Sequence, residues 1–189
     1  MNKNDIKEIL KTAISLFLIC AVSAGILAFV NSVTAPKIAA NSEQTANESR
    51  QLVLPSANDF EEVSFEYDGE TVTCYKGTTD GITAGFVFTC SGKGYGGEIE
   101  IMVGTDMLGA VTGIEILTID ETPGLGMNAK KESFLNQFAG KSGEISVVKS
   151  EPGENEIQAI TSATITSKAV TSAVNDALKM FAAVSGKGE

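Results

Sequence analysis

The sequence predicts an α+β domain, in which helices pack on an antiparallel sheet, preceded by one N-terminal transmembrane helix. Three observations predict this architecture. A long uncharged segment lies near the N-terminus, short segments rich in β-branched and aromatic residues follow it, and an amphipathic helical pattern lies near the C-terminus. At 189 residues the chain is long enough for one domain with a substantial core.

Residues 12–30, TAISLFLICAVSAGILAFV, carry no charge and predict a transmembrane anchor. A helix of this length spans about 28 Å, close to the hydrocarbon thickness of a bilayer. A cleaved signal peptide is the alternative, because small residues at 22–24 and 33–35 could suit a peptidase. The apolar run continues past the first of these sites and Pro36 follows the second, so an uncleaved anchor is favoured.

Three lysines lie within residues 1–11, ahead of the anchor. Basic residues favour the cytoplasmic side of a membrane, so residues 1–11 are predicted to be cytoplasmic. The polar segment 31–58 is predicted to be a stalk, and residues 59–189 an extracytoplasmic domain. The chain is therefore expected in the cell (inner) membrane as a single-pass protein.

Five strands are predicted after the stalk from their β-branched and aromatic content. The segment 104–111 has the composition of a turn between two neighbouring antiparallel strands. Gly- and Asp-containing turns separate the other strands. The predicted strands are Val63–Tyr67, Thr71–Tyr75, Thr83–Thr89, Glu98–Val103 and Ala110–Leu117.

The remaining elements follow a Pro-Gly loop at 121–126. A short helix is predicted near Lys130–Phe138 and a strand at Ile145–Val148. The last helix extends to about Val184 and has an apolar stripe that should pack on the sheet. The residues of that stripe are Val170, Val174, Ala177, Leu178, Phe181 and Ala182.

Composition excludes several classes of function. The formal net charge is −10 and no run of Lys or Arg occurs, which excludes a nucleic-acid partner. The chain has no histidine, and its three cysteines are too widely spaced for a zinc or iron–sulfur signature, so no metal site and no catalytic residue is predicted. Cys20 lies in the anchor, and pairing of Cys74 with Cys90 stays open. Redox work would require a cofactor.

The segment ITSATITSKAV at 160–170 places five hydroxyl side chains at the start of the last helix. A helix N-terminus with exposed hydroxyl and amide donors favours a bound anion. A simple N-cap by Thr166 or Ser167 is the alternative. The five hydroxyl residues are Thr161, Ser162, Thr164, Thr166 and Ser167.

Two further segments are rich in glycine. In ETPGLG, at 121–126, Pro123 and Gly124 predict a turn that presents Leu125, although a purely structural turn remains the alternative. In GKGYGG, at 92–97, the glycine spacing does not fit a dinucleotide fingerprint or a Walker loop, so a hairpin loop is the simpler interpretation.

The order of anchor, GYGG, strand pair, ETPGLG and S-A-T-x-T before a terminal helix resembles the FMN-binding domain family of RnfG, a subunit of the Rnf electron transport complex. The C subunit of the sodium-pumping NADH:quinone reductase is similar. In that family, FMN is joined through its phosphate to the last Thr or Ser of S-G-A-T-x-T/S. The resemblance implies that Thr166 carries FMN. Thr161 replaces the usual Ser, and Ser162 replaces the usual Gly, at a cost of about 1 kcal/mol if that position requires a positive φ.

The resemblance also implies the other cofactor-binding residues and a maturation partner. No residue near Thr166 in the sequence could act as a base for its hydroxyl, so attachment implies a separate flavin transferase. Besides Thr166, the implied FMN-binding residues are Thr161, Ser162, Ala163, Thr164, Glu121, Thr122, Gly124, Leu125 and Gly126.

The implied function is electron relay through covalent FMN within an ion-translocating ferredoxin:NAD⁺ oxidoreductase, with other membrane subunits as partners. No independent substrate turnover is expected. One alternative is the equivalent subunit of a sodium-pumping NADH:quinone reductase. Another is a non-redox, membrane-anchored binding module, which would lack flavin absorbance.

Overall fold

The computed structural model describes residues 3–186 and, within the first helix, omits the side chains at 3–10, 12, 15, 33 and 35–43. Residues Met1–Thr45 and Ala46–Glu189 form two separate compact units. Helix α1 covers Lys3–Val53 and includes the predicted anchor and most of the predicted stalk.

The first unit is helical throughout its described part. Among the residues that the structure describes, no helix is both long enough and apolar enough to cross a bilayer. Two side chains of the predicted anchor, at positions 12 and 15, and those of residues 1–10 in the predicted cytoplasmic segment lie outside the described set.

The second unit is built on a five-stranded sheet in which neighbouring strands along the chain pair in the order β1-β2-β3-β4-β5. All four pairings are antiparallel, which confirms the predicted sheet. The observed strands are longer than the predicted segments, because their polar ends also join the ladders. The strands are β1 Asp59–Tyr67, β2 Glu70–Thr79, β3 Ile82–Lys93, β4 Glu98–Asp106 and β5 Val111–Ile119.

Two Asp-Gly pairs form the first two hairpin turns. Asp68 and Gly69 have φ values of 51° and 81°, and Asp80 and Gly81 have values of 53° and 78°. Two successive residues with positive φ define the type I′ turn, whose twist matches that of the flanking strands. The Asp-Gly pairs therefore set the register of β1, β2 and β3.

The long C-terminal helix, α3 (Thr164–Ser185), covers one face of the sheet. On β3, the side chains of Phe86, Phe88 and Cys90 belong to the core beneath this helix, while Val87 belongs to a separate cluster. This alternation follows from the two-residue period of a strand. Phe181 of α3 packs edge-on against Phe86, with the ring centroids 6.0 Å apart.

The C-terminal end of α1 covers part of the opposite face. Val53, Leu54 and Ala57 are fully buried and cluster with Val87 and Met102. These residues lie within the predicted stalk, yet they complete the hydrophobic core. The folded unit therefore begins before residue 59, at Ala46.

Several shorter elements connect β5 to α3. A 3-10 helix, Gly126–Lys130, and helix α2, Glu132–Leu135, occupy the region predicted as one helix near Lys130–Phe138. The extended backbone of Lys131 separates them, with φ −73° and ψ 136°. Strand β6, Ser146–Val148, pairs in parallel with β7, Glu156–Gln158, a strand that the sequence pattern did not predict.

All three cysteines are free. Cys74 and Cys90 are buried on the α3 side of the sheet. Burial raises the pKa of Cys74 to about 11. Burial, together with the negative charge of Asp176, raises the pKa of Cys90 to about 12. Both groups are therefore protonated near neutral pH, and neither thiol is activated as a nucleophile.

Candidate functional site

The two motifs singled out in the sequence meet at one cavity of about 530 Å³. This volume lies within the range of about 300–1,000 Å³ that is typical of small-molecule and cofactor sites. Of the predicted site residues, all except Thr161 and Gly124 line the cavity. Its lining is Tyr95, Glu121, Thr122, Leu125, Gly126, Ser162, Ala163, Thr164, Ile165 and Thr166.

The start of α3 forms one wall of this cavity. The N-cap residue is Ala163, and no side chain caps the helix, so neither Thr166 nor Ser167 is the N-cap. The amides of the first helical turn have no partner within the helix. They are directed out of the helix N-terminus, where the helix dipole favours negative charge.

The hydroxyl groups at this helix start fall into two sets. The Ser167 hydroxyl accepts a hydrogen bond from the Ile160 amide and donates one to the Ala163 carbonyl, each at 2.9 Å. Thr171 similarly donates to the Ser167 carbonyl at 2.9 Å. Within the described part of the chain, the hydroxyls of Thr161, Ser162, Thr164 and Thr166 make no hydrogen bond.

Thr166 is buried, with a relative exposure of 1%, although it lines the cavity. It is the third residue of α3. Among the described residues, the only fully buried side-chain nitrogen or oxygen atom without a hydrogen-bond partner is Nε of Arg50. The Thr166 oxygen has no partner either, so it must keep some exposure, and since the rest of the residue is buried, that exposure is towards the cavity. Thr166 therefore presents a free hydroxyl to a ligand in the cavity.

Ser162 has φ 63°, in the left-handed region. The family motif has Gly at this position, and the structure shows the positive φ that a Gly would favour. Serine is thus accommodated here with local backbone strain, of about 1–2 kcal/mol for a residue with a Cβ atom.

The ETPGLG loop forms the facing wall. The Thr122 carbonyl accepts hydrogen bonds from the amides of Leu125 and Met127, at 3.1 and 3.3 Å, and Gly124 has φ 78°. These features confirm a tight turn. Leu125 is 41% exposed and lines the cavity, as expected for a side chain held out by a turn.

Gly126 lies where the two motifs touch. A Cβ atom at this position would lie 2.6 Å from Oε2 of Glu121 and 2.8 Å from Oγ1 of Thr166. The position therefore has no room for a side chain. The same two distances show that the fold brings the Glu121 carboxylate close to the Thr166 hydroxyl. The sequence did not predict this proximity, because the two residues are far apart along the chain.

Tyr95 and Ile165 also line the cavity, although the sequence analysis did not assign them to it. Tyr95 lies in the glycine-rich loop between β3 and β4, where the Gly94 amide donates to the Gly97 carbonyl at 2.8 Å. The predicted hairpin loop is thus present, and it reaches the cavity as well. The signal available in the sequence was the single aromatic residue among the glycines, which could have indicated that this loop contributes a side chain to a binding site.

A cavity of about 560 Å³ lies near the C-terminal half of α3. Its lining includes Leu108, Glu144, Lys179 and Phe181, and none of it comes from the two motifs. Volume alone therefore does not distinguish the two cavities. Within the described residues, the two cavities differ in that the start of α3 and a cluster of free threonine and serine hydroxyls line the one formed by the motifs, whereas Ser142 supplies the single hydroxyl of the other.

The fold and the cavity together define a class of protein: an α+β domain whose cavity, between a helix N-terminus and a glycine-containing loop, suits an anionic small molecule. Comparison with known families specifies this class. Residues 94–179 match the FMN-binding domain, and residues 1–51 match the RnfG N-terminal region. The first match includes every residue that lines the cavity.

Full-length relatives identify the family. The chain is 43% identical to the G subunit of the Na⁺-translocating ferredoxin:NAD⁺ oxidoreductase complex of Acetobacterium woodii, with 94% of this chain and 93% of the relative covered. It is 36% identical to the G subunit of the proton-translocating ferredoxin:NAD⁺ oxidoreductase complex of Clostridium ljungdahlii, with coverages of 98% and 96%. The chain belongs to the RnfG family, the G subunits of ion-translocating oxidoreductase complexes, which confirms the resemblance noted in the sequence.

Solved structures show the same fold at lower identity. The C subunit of the Na⁺-translocating NADH-quinone reductase of Parabacteroides distasonis is 24% identical, with a TM-score of 0.51 over 69% of this chain and 75% of that one. NqrC of Shewanella oneidensis is 19% identical, with a TM-score of 0.51 over 69% and 67%. These structures support the fold assignment.

Proposed function

We propose that this chain carries FMN in the cavity formed by the two motifs, joined through the flavin phosphate to Thr166. The observation that carries the proposal is the meeting of both motifs around one cavity, with the largely buried Thr166 in its wall. The match of residues 94–179 to the FMN-binding domain supports the identity of the cofactor.

The residues around the cavity suit the two ends of FMN. At the helix start, free hydroxyls and the first-turn amides can donate hydrogen bonds to phosphate oxygens. Leu125 and Ile165 supply exposed apolar surface for the flavin ring. When bound, the flavin supplies the redox chemistry that the side chains lack.

Attachment requires a separate flavin transferase. The Thr166 oxygen forms a bond to phosphorus while the phosphate of the activated flavin donor loses its leaving group, and the hydroxyl proton must be removed. A threonine hydroxyl is weakly nucleophilic at neutral pH. Oε2 of Glu121 lies near Thr166 across Gly126, while Oε1 accepts a hydrogen bond from the Tyr95 amide. No hydrogen bond joins Glu121 to the Thr166 hydroxyl within the described residues, so removal of the proton is assigned to the transferase.

The family suggests the setting in which the flavin works. The relatives from Acetobacterium woodii and Clostridium ljungdahlii are named as subunits of ferredoxin:NAD⁺ oxidoreductase complexes. We infer that this chain relays electrons between other membrane subunits of such a complex and turns over no substrate of its own. A covalent link suits this role, because the cofactor of an extracytoplasmic carrier would otherwise be lost by dilution.

The proposed location is the cell (inner) membrane, with a single span and the FMN domain outside the cytoplasm. The uncharged segment 12–30 and the RnfG N-terminal match over 1–51 support the anchor. The consecutive residues Leu16, Phe17, Leu18 and Ile19 are all exposed, so apolar side chains lie on every side of this helix. A helix that is apolar all round requires an apolar environment.

Substitution of Thr166 tests the attachment site. Thr166→Val keeps the shape of the side chain and removes the oxygen, so we expect a folded protein without covalent FMN. Thr164→Val is the matched control, since it removes a free hydroxyl two residues earlier, and it should retain attachment at least in part. Each full chain is produced with the transferase and measured by intact mass, flavin fluorescence in a denaturing gel and peptide mass spectrometry.

Two results would contradict the proposal. FMN mapped to Thr164, or retained covalently in Thr166→Val, would show that another residue carries it. A wild-type protein that is purified from its native membrane without flavin absorbance would instead favour a non-redox binding module.

A further inference from the structure

The carboxylate of Glu121 is committed to the glycine-rich loop that holds Tyr95. Its Oε1 accepts a hydrogen bond from the Tyr95 amide at 2.6 Å. Glu121 is only 7% exposed. A hydrogen bond from a backbone amide to a buried carboxylate is stronger than one between neutral groups.

The loop can approach Glu121 this closely because it lacks side chains at two positions. A Cβ atom at Gly94 would collide with Oε1 of Glu121, and one at Gly96 would collide with the carbonyl oxygen of Asp120. The loop from 94 to 97 is therefore pressed against the start of the ETPGLG segment. The glycines of this loop are therefore explained by its close contact with residues 120 and 121, rather than by a need for flexibility.

The consequence of this contact is the position of the Tyr95 ring. The side chain is 75% exposed and lines the cavity together with Leu125 and the start of α3. An exposed aromatic side chain normally gains little stability from keeping a single rotamer. Here Glu121 anchors the backbone amide of the same residue, which fixes the point on the cavity wall from which the ring projects.

We propose that Glu121 is a positioning residue that holds Tyr95 as an aromatic wall of the cavity, where the tyrosine ring contacts the flavin ring. The inference rests on the proposed function, since it concerns the same cavity. Aromatic rings in offset or edge-to-face contact attract each other beyond simple area burial. Ring contact with tyrosine also quenches flavin fluorescence, so the arrangement has a spectroscopic signature.

The flavin arm of the test uses the full chain loaded by its transferase. The readouts are flavin fluorescence per attached flavin, normalised by absorbance, and the circular dichroism of the flavin bands. We expect Tyr95→Ala to lose the quenching and to change the circular dichroism of the flavin bands. Tyr95→Phe keeps the ring but not the readily oxidised phenol, so it should lose most of the quenching and keep the circular dichroism. Glu121→Ala should behave as Tyr95→Ala does. Glu121→Gln, which keeps an oxygen that can accept from the Tyr95 amide, should restore most of the quenching.

The double variant separates positioning from a direct effect of Glu121 on the flavin. If Glu121 acts through Tyr95, Glu121→Ala should add no further change in the Tyr95→Ala background. A change of equal size in both backgrounds would overturn the positioning role. Unchanged fluorescence and circular dichroism in Tyr95→Ala, with flavin attached, would overturn the ring contact and leave the proposed function intact.

The second arm needs no flavin. In the unloaded full chain, the Tyr95 amide of Glu121→Ala should exchange its hydrogen at least about tenfold faster than the same amide of the wild type. This is the order expected for losing a hydrogen bond to a charged acceptor. Glu121→Gln should remain closer to the wild type. Equal exchange in all three proteins would overturn the inference. If the wild-type chain produced with its transferase carries no flavin, the proposed function is overturned, and the ring contact with it.

Discussion

Residues of the same chemical type have different roles at the start of α3. Ser167 and Thr171 use their hydroxyls to bond backbone carbonyls within the helix. Thr164 and Thr166 leave theirs available at the cavity, and within the described residues these hydroxyls have no partner. The difference depends on the direction of each side chain around the helix, which a run of Ser and Thr in the sequence does not disclose.

Ser162→Gly should stabilise the protein. Ser162 has φ 63°, and glycine relieves the strain of a Cβ atom in the left-handed region. The greater flexibility of glycine in the unfolded chain offsets part of this gain, so we expect a net increase of about 0.5 kcal/mol in unfolding free energy. Urea denaturation measures it. Ser162→Ala, which keeps the Cβ atom, is the control and should show no gain.

Leu125→Ala should alter the flavin environment without preventing attachment. Leu125 lines the cavity and is 41% exposed, so its loss changes the apolar surface available to the ring. We expect a shift in flavin absorbance or reduction potential, measured by spectroscopic titration. Met127→Ala is a matched control, because Met127 is 36% exposed and does not line the cavity. Equal spectra and potentials for the wild type and Leu125→Ala would remove Leu125 from the site.

At the level of elements, α3 lies unusually close to β3. A Cβ atom at Gly92 would collide with the carbonyl oxygen of Ala169, so the helix backbone lies directly against the strand there. The periodicity of the apolar residues predicted that α3 packs on the sheet. It did not predict the closeness, since Gly92 and Ala169 are distant in sequence and Gly92 belongs to a segment that resembles a loop.

Gly92→Ala tests this contact. The added methyl group must displace either the helix or the strand, and overpacking of this kind costs about 1–3 kcal/mol. Thermal or urea denaturation should show that loss. Lys93→Ala is the control, because Lys93 is exposed next to Gly92, and its effect should stay within about 0.5 kcal/mol. Equal stability of the two variants would mean that the helix can move away without cost.

At the scale of the whole molecule, orientation in the membrane determines which partners the flavin can reach. The three lysines in residues 1–11 favour a cytoplasmic N-terminus, and the proposed single span would then place the FMN-binding domain on the other side. The FMN-binding match begins at residue 94, well beyond the proposed anchor segment 12–30, so in the proposed topology the whole cavity lies on one side of the membrane.

Reporter fusions test this topology. A reporter enzyme that is active only outside the cytoplasm, fused after residue 186, should show full activity. A reporter that requires the cytoplasm should be inactive at the same site. Replacing the three lysines by glutamine should weaken the preference and provides the control for its cause. Strong activity of the cytoplasmic reporter in the unaltered chain would reverse the proposed orientation.

Local sequence signals predicted much of the fold. Alternating β-branched segments located all five strands of the sheet, and the Asp-Gly pairs marked two of its turns, because both signals depend on near neighbours. The parallel pairing of β6 with β7 and the burial of Leu54 under the sheet were missed. Those features depend on residues far apart in the chain, for which one sequence contains no local pattern.

The sequence by itself determined the family, the sheet and the two motifs, since each is encoded by residue type and spacing within a short segment. Only the tertiary structure decided that Glu121 lies beside Gly126 and Thr166, that Tyr95 reaches the same cavity, and which hydroxyls are free. The physical reason is that the site is built from three separate segments, two loops and the start of α3. The distances between their residues are fixed only when the sheet and α3 pack together. Close packing then determines which side chains meet.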